Sequence, residues 1–151
     1  MATLAAGTQP FAKEINMLLV SLVYASSVSA SVDEQAVARI LETSRAYNEQ
    51  YDITGLLCFN HRYFLQCLEG SRTRVNHLYQ RILQDPRHSD ILLLDYAEIE
   101  QRRFDQWAMG YVPSGQLARQ QILRFSGKAE FNPYEMTGAS ACGLLAELGS
   151  L

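Results

Sequence analysis

Three polar residues stand where the sequence around them is apolar: Tyr24, Asn48 and Gln66. Tyr24 closes the run LLVSLVY, on the face of Leu18, Val20 and Leu22. Gln66 lies in YFLQCL, where Phe64, Gln66 and Leu68 share one strand face and Tyr63, Leu65 and Cys67 the other. Asn48 continues, at four-residue spacing, the helical stripe Val37, Ile40, Leu41 and Ser44. A buried amide costs free energy unless its donors and acceptors are paired. Each residue alone has an ordinary reading: a core tyrosine with a satisfied hydroxyl, a helix C-cap, a glutamine bonded to backbone. Together they place a phenol and two amides between apolar walls in one cleft. Asparagine and glutamine each donate and accept, so such a cleft suits a flat heteroaromatic ligand with an imide-like edge. Arg45, Arg81, Arg87 and His88, near the helix ends, would face an anionic tail of that ligand.

The elements that must position these groups follow from periodicity and turn chemistry. Leu18–Tyr24 reads as a buried strand. Ser31 and Glu34 form a capping box, and a helix follows to about Tyr47. Gly55–Phe59 and Tyr63–Leu68 read as an antiparallel hairpin about the turn Asn60–Arg62. Ser71 caps a second helix with the stripe Val75, Leu78, Tyr79, Ile82 and Leu83, which Asp85-Pro86 ends. Ile91–Tyr96 is a fourth strand. Phe104–Val112 is a fifth, with Trp107, Met109 and Tyr111 alternating onto one face. Helices near Gln116–Phe125 and Thr137–Leu148, joined by a loop through Pro133, complete the chain. The order β-α-β-β-α-β-β with two helices on one face is a ferredoxin-like α+β sheet, here with a helical tail. That fold hosts many activities, so function rests on the site. Residues 1–16 read as an N-terminal extension, 17–113 as the domain and 114–151 as the helical extension.

Composition narrows the function classes. The 151 residues carry 13 Lys+Arg against 16 Asp+Glu, a net charge of −3, which argues against direct nucleic-acid binding. Only 19% of residues are charged, against roughly 25% in a usual domain. A buried ligand or a subunit contact through the apolar tail would account for that. Cys58, Cys67 and Cys142 form no CxxC pair and the three histidines have no ligand spacing, so no metal site is expected. The cysteines read as small hydrophobes in a reducing cytoplasm. No apolar run reaches membrane length and no signal peptide is evident. Neither a GxGxxG nor a GxxxxGK[ST] phosphate loop is present, which weighs against a nucleotide-dependent enzyme. An acylphosphatase-like hydrolase would need a phosphate-cradling loop after the first strand, where YASSVSASVDE is acidic. A purely structural interaction domain remains open on these grounds.

Longer motifs sharpen the choice. LVSLVYASS with Tyr24, ILETSRAYN with Asn48, DITGLLCFNHRYFLQCLEGSRTRV with Gln66, RILQDPRH, and FDQWAMGYV with Trp107 and Met109 occur in this order over about residues 17–113. The chain resembles the BLUF domain, a blue-light sensor that uses flavin. Its length and tail resemble the short stand-alone BLUF proteins of the PixD type. The resemblance implies FAD between the two helices, with Tyr24 and Gln66 as the photoactive pair and Asn48 holding the flavin ring. Ile40, Ser44, Phe64 and Ile82 would line the ring. Arg45, Arg81, Asp85 and His88 would lie nearer the ribityl and phosphate portion. Trp107 and Met109 would carry the signal. Electron and proton would leave Tyr24 together, Gln66 would relay the proton, and its changed hydrogen bond to the flavin would give a modest red shift. Such a chain is no enzyme. It would assemble as a homo-oligomer, a dimer or a larger ring, and act on a downstream signalling protein.

Overall fold

The computed structural model describes residues 18–113 and 117–150. The expected extension 1–16, Met17 and the first residue of the expected 116–125 helix lie outside the described residues. The elements are β1 (Leu19–Val28), α1 (Glu34–Gln50), β2 (Thr54–Phe59), β3 (Tyr63–Ser71), α2 (Arg72–Leu83), β4 (His88–Glu98) and β5 (Gly110–Pro113). The tail adds α3 (Arg119–Phe125), a 3-10 turn (Pro133–Glu135) and α4 (Gly138–Gly149). The sheet runs β4-β1-β3-β2-β5. Its first four strands pair antiparallel, and β5 adds parallel to β2. This is the ferredoxin-like sheet with its split β-α-β crossovers.

Alternation along the strands sorts the core into two layers. Val20, Leu22, Tyr24, Leu57, Phe59, Phe64 and Leu68 face α1 and α2. Val23, Leu56, Cys58, Leu65 and Cys67 face the tail, where Ile122, Ala141, Leu144, Leu145 and Leu148 cover them. The apolar tail therefore buries itself on its own sheet. Gly138 makes this approach possible: a Cβ there would stand 2.3 Å from the Leu94 carbonyl oxygen.

Two local expectations are corrected. The cap of α1 is Asp33, whose side chain accepts from the Ala36 amide at 2.8 Å. Asp33 has the extended backbone a cap needs, while Ser31 lies in the preceding turn beside Ser29. The fifth strand is short because residues 104–109 are irregular. The Trp107 amide turns back to the Phe104 carbonyl at 3.2 Å. The carbonyls of Ala108 and Met109 are taken by side chains of α1, so no regular ladder forms there.

Candidate functional site

Tyr24 and Gln66 are directly opposite each other on β1 and β3, facing the helices. The Tyr24 hydroxyl donates to Gln66 Oε1 in a short hydrogen bond. Gln66 Nε2 donates in turn to Met109 Sδ at 3.4 Å. Burial pushes the Tyr24 phenol far above its usual range, so the group stays neutral and remains a donor. The rings of Tyr79 and His88 stand 5.8 and 6.2 Å from that of Tyr24.

Asn48 is not the cap of α1. The helix runs on to Gln50, and the Tyr51 amide closes it on the Tyr47 carbonyl at 3.2 Å. Asn48 Nδ2 instead donates to the Ala108 carbonyl at 2.6 Å, while its Oδ1 is buried with no hydrogen-bond partner. An orphan acceptor of this kind asks for a donor from outside the chain.

These groups open on one cleft between the sheet and the two helices, with a cavity volume of about 80 Å³. Tyr24, Ile40, Ser44, Asn48, Phe64, Gln66, Ile82, Asp85 and His88, all expected from the sequence, line it together. Leu57, Leu68 and Leu78 join them unannounced, although Leu68 shares the strand face of Gln66 and Leu78 lies one turn before Ile82. Arg87 also lines the cleft. Its Nε and Nη2 donate to Asp85 at 2.6–3.1 Å and hold that carboxyl below the usual carboxylate range. His88 Nε2 lies 2.7 Å from the Ile82 carbonyl, which can only accept, so that nitrogen carries a proton. Its Nδ1 meets the Ser26 hydroxyl at 2.8 Å.

Two expected residues sit elsewhere. Arg45 Nε donates to the Met109 carbonyl at 2.9 Å. The Arg81 guanidinium lies 4.7 Å over the Tyr47 ring. Met109 and Trp107 do not share a face. Met109 is 2% exposed and belongs to the layer under α1 and α2. Trp107 packs in the tail layer, its ring 6.5 Å from that of Phe104.

A ferredoxin-like sheet with a neutral phenol, a buried glutamine amide and an unpartnered asparagine oxygen around one cleft has the donors and acceptors that suit a flat, imide-edged ligand. The chain belongs to the BLUF family, the sensors of blue light using FAD, whose profile matches residues 19–110. It is 37% identical over 94 residues to the blue light- and temperature-regulated antirepressor BluF of Escherichia coli K12, over 61% of this chain. The chain spans 23% of the length of that relative. It is similar to the solved BlsA ground state (TM-score 0.80, 30% identity, 88% of this chain and 89% of that one). The dark-state structure of BlrB, a BLUF protein, superimposes with a TM-score of 0.73 at 29% identity, over 89% of this chain and 98% of that one. BLUF domains are flavin-binding blue-light sensors, and the Tyr24–Gln66 bond fits the tyrosine–glutamine photocycle of the family. Among the described residues no helix is long and apolar enough to cross a membrane.

Proposed function

We propose that this chain holds FAD in the Tyr24–Asn48–Gln66 cleft and passes a light-induced rearrangement to another protein. The observation that carries this reading is the unpartnered Asn48 Oδ1 beside the Tyr24–Gln66 pair. An orphan acceptor matches the N–H of an isoalloxazine imide, and Gln66 offers the amide that a ring carbonyl requires. Ile40, Ser44, Phe64 and Ile82 form the walls. Asp85, Arg87 and His88 stand at the mouth, where Arg87 offers the positive charge for a phosphate-bearing tail. Arg45 and Arg81 belong to the output side and the outer surface in this assignment.

Flavin, when bound and excited, supplies an electron acceptor beside the phenol. Tyr24 can give up an electron readily only if its proton leaves too, because a charge left in this apolar site is expensive. The hydrogen bond already present carries that proton from the Tyr24 hydroxyl to Gln66 Oε1. As the electron and a proton return to Tyr24, Gln66 is left in a rotated or tautomeric form, and Met109 loses its partner. Residues 17–113 are the sensor in this reading, 114–151 its helical output extension, and 1–16 an N-terminal extension. The receiving partner in this reading is a downstream signalling protein. Leu93 and Tyr96, exposed together on the helix side of edge strand β4, are the surface on which copies of the chain would assemble.

The test is a light-minus-dark absorption spectrum of the purified protein, with the flavin released and identified by chromatography. A yellow protein that shifts to the red and recovers in darkness supports the sensor. A colourless protein that takes up no FAD sinks it in favour of an interaction domain. Size measurement in both states tests the assembly.

A further inference from the structure

The photochemistry leaves one buried charged group unused. Glu69 lies on β3 three residues beyond Gln66 and is fully buried. Its Oε2 accepts from the Arg103 amide at 2.8 Å. Its Oε1 accepts from the Phe104 amide at 2.9 Å and from the Thr54 hydroxyl at 3.3 Å. Among the described residues it has no ion-pair partner. Burying a carboxyl outside an ion pair is costly; two aligned backbone amides offset it, and the Arg102 guanidinium stands close by, donating to the Thr54 hydroxyl at 3.0 Å and to the Glu69 carbonyl at 3.2 Å. A simple strand end needs no such group.

What those amides belong to gives the reason. Arg103 and Phe104 begin the irregular segment that ends at Met109, the residue Gln66 contacts. β3 thus grips this segment at both ends, through Glu69 on the tail side and Gln66 on the cofactor side. Between the grips, the Trp107 ring stacks on Phe104 at 6.5 Å with a 21° interplanar angle. Phe104 in turn lies against the end of α4: a Cβ on Gly149 would fall 2.4 Å from its ring.

We propose that Glu69 is a positioning residue for signal output. It fixes Phe104, so that a displacement begun at Met109 turns Trp107 against the end of α4. Without that anchor the irregular segment would absorb the displacement. The inference rests on the sensor reading above, and its distinctive claim is that Glu69 couples the tail without taking part in the photochemistry.

Glu69→Gln keeps the shape but sets an NH2 group against one of the two amides. The full-length, flavin-loaded wild type, Glu69→Gln and Glu69→Asp are compared by two light-minus-dark measurements: the absorption shift, and hydrogen exchange of the α4 amides. Glu69→Gln is expected to keep the absorption shift while its light-induced change in α4 exchange falls at least about fivefold. Glu69→Asp, which retains both acceptors, should lie between it and the wild type. A wild-type α4 response in Glu69→Gln overturns the proposal, as does loss of the absorption shift together with the tail response. Equal loss in both variants also overturns it, since bulk rather than the acceptor pair would then matter. If the Gln variant fails to fold, the Asp variant decides: a full shift with a reduced tail response supports the role, and an undiminished response refutes it. A wild type without any light-induced shift removes the sensor reading itself, and this role with it.

Discussion

Tyr24 donates to Oε1 of Gln66, and that bond sets which way the glutamine amide points. With its oxygen engaged, the amide must turn Nε2 toward Met109, whose sulfur it meets at 3.4 Å. Sulfur is a weak acceptor, so this second bond is the easier one to give up. Half a turn of the amide would let its NH2 donate to the phenol oxygen. It would leave no proton between Oε1 and the sulfur. The two positions of Gln66 therefore differ most at Met109, on the side away from the phenol.

Removing either member of the pair should abolish the light response. Tyr24→Phe leaves the cleft walls in place but removes the electron and proton donor. The protein should stay yellow and show no red-shifted state. It also leaves a buried glutamine oxygen unpaired, a cost of about 1–3 kcal/mol that urea unfolding would register. Gln66→Leu should lose the shift as well. A normal red-shifted state in either variant contradicts the assigned roles.

Met109→Leu separates the switch from its readout. The substitution conserves volume and should cost less than about 1.5 kcal/mol. It removes the sulfur that Gln66 contacts and nothing that touches Tyr24. The absorption shift should persist, while the dark recovery rate changes and the light-induced change in Trp107 emission shrinks. Unchanged recovery and emission would show that Gln66 does not signal through this contact.

How far the sequence reached is plain from these same residues. Alternation in YFLQCL put Gln66 on the helix side of the sheet, because a strand's side-chain period is fixed by its backbone. Four-residue spacing brought Asn48 and Ser44 to the same cleft. What periodicity could not show was competition for backbone carbonyls. Asn48 and Arg45, one turn apart on α1, hold the carbonyls of Ala108 and Met109. That breaks the ladder where alternation predicted a strand, and it puts Trp107 and Met109 in opposite layers. Arg45 reads as a contact for an anionic tail because charge and position are all that a sequence displays; its bond to the Met109 carbonyl had no sequence signal. Glu69 gave no signal either, since a carboxylate near the end of a strand is ordinarily solvated.

The tail should be separable from the sheet by one substitution. Gly138→Val places a side chain where even a Cβ comes within 2.3 Å of the Leu94 carbonyl oxygen. α4 must then lift from β4, at a cost of about 1–3 kcal/mol. The exposed layer around Leu65, Leu144 and Leu145 should bind an apolar dye. Unchanged urea stability and no dye binding would show that α4 does not seat on the sheet through Gly138.

The cysteines supply a pH test of the two-layer core. Burial pushes the thiols of Cys58 and Cys67 up to about 12, and that of half-buried Cys142 to about 11. In the unfolded chain a thiol ionises near about 8.5. As pH rises past that value, the unfolded state loses protons that the folded state keeps. Stability therefore falls with pH, by up to about 1.4 kcal/mol per pH unit for each buried thiol, until the folded thiols titrate. Between about pH 9 and 11, unfolding free energy should drop more steeply in the wild type than in a Cys58→Ala, Cys67→Ala variant. At pH 8, iodoacetamide should modify Cys142 before the other two in the native protein, because only the thiolate reacts and both buried thiols are also shielded. Equal slopes in the two proteins, or prompt alkylation of Cys67, would mean that the tail does not close over this face of the sheet in solution.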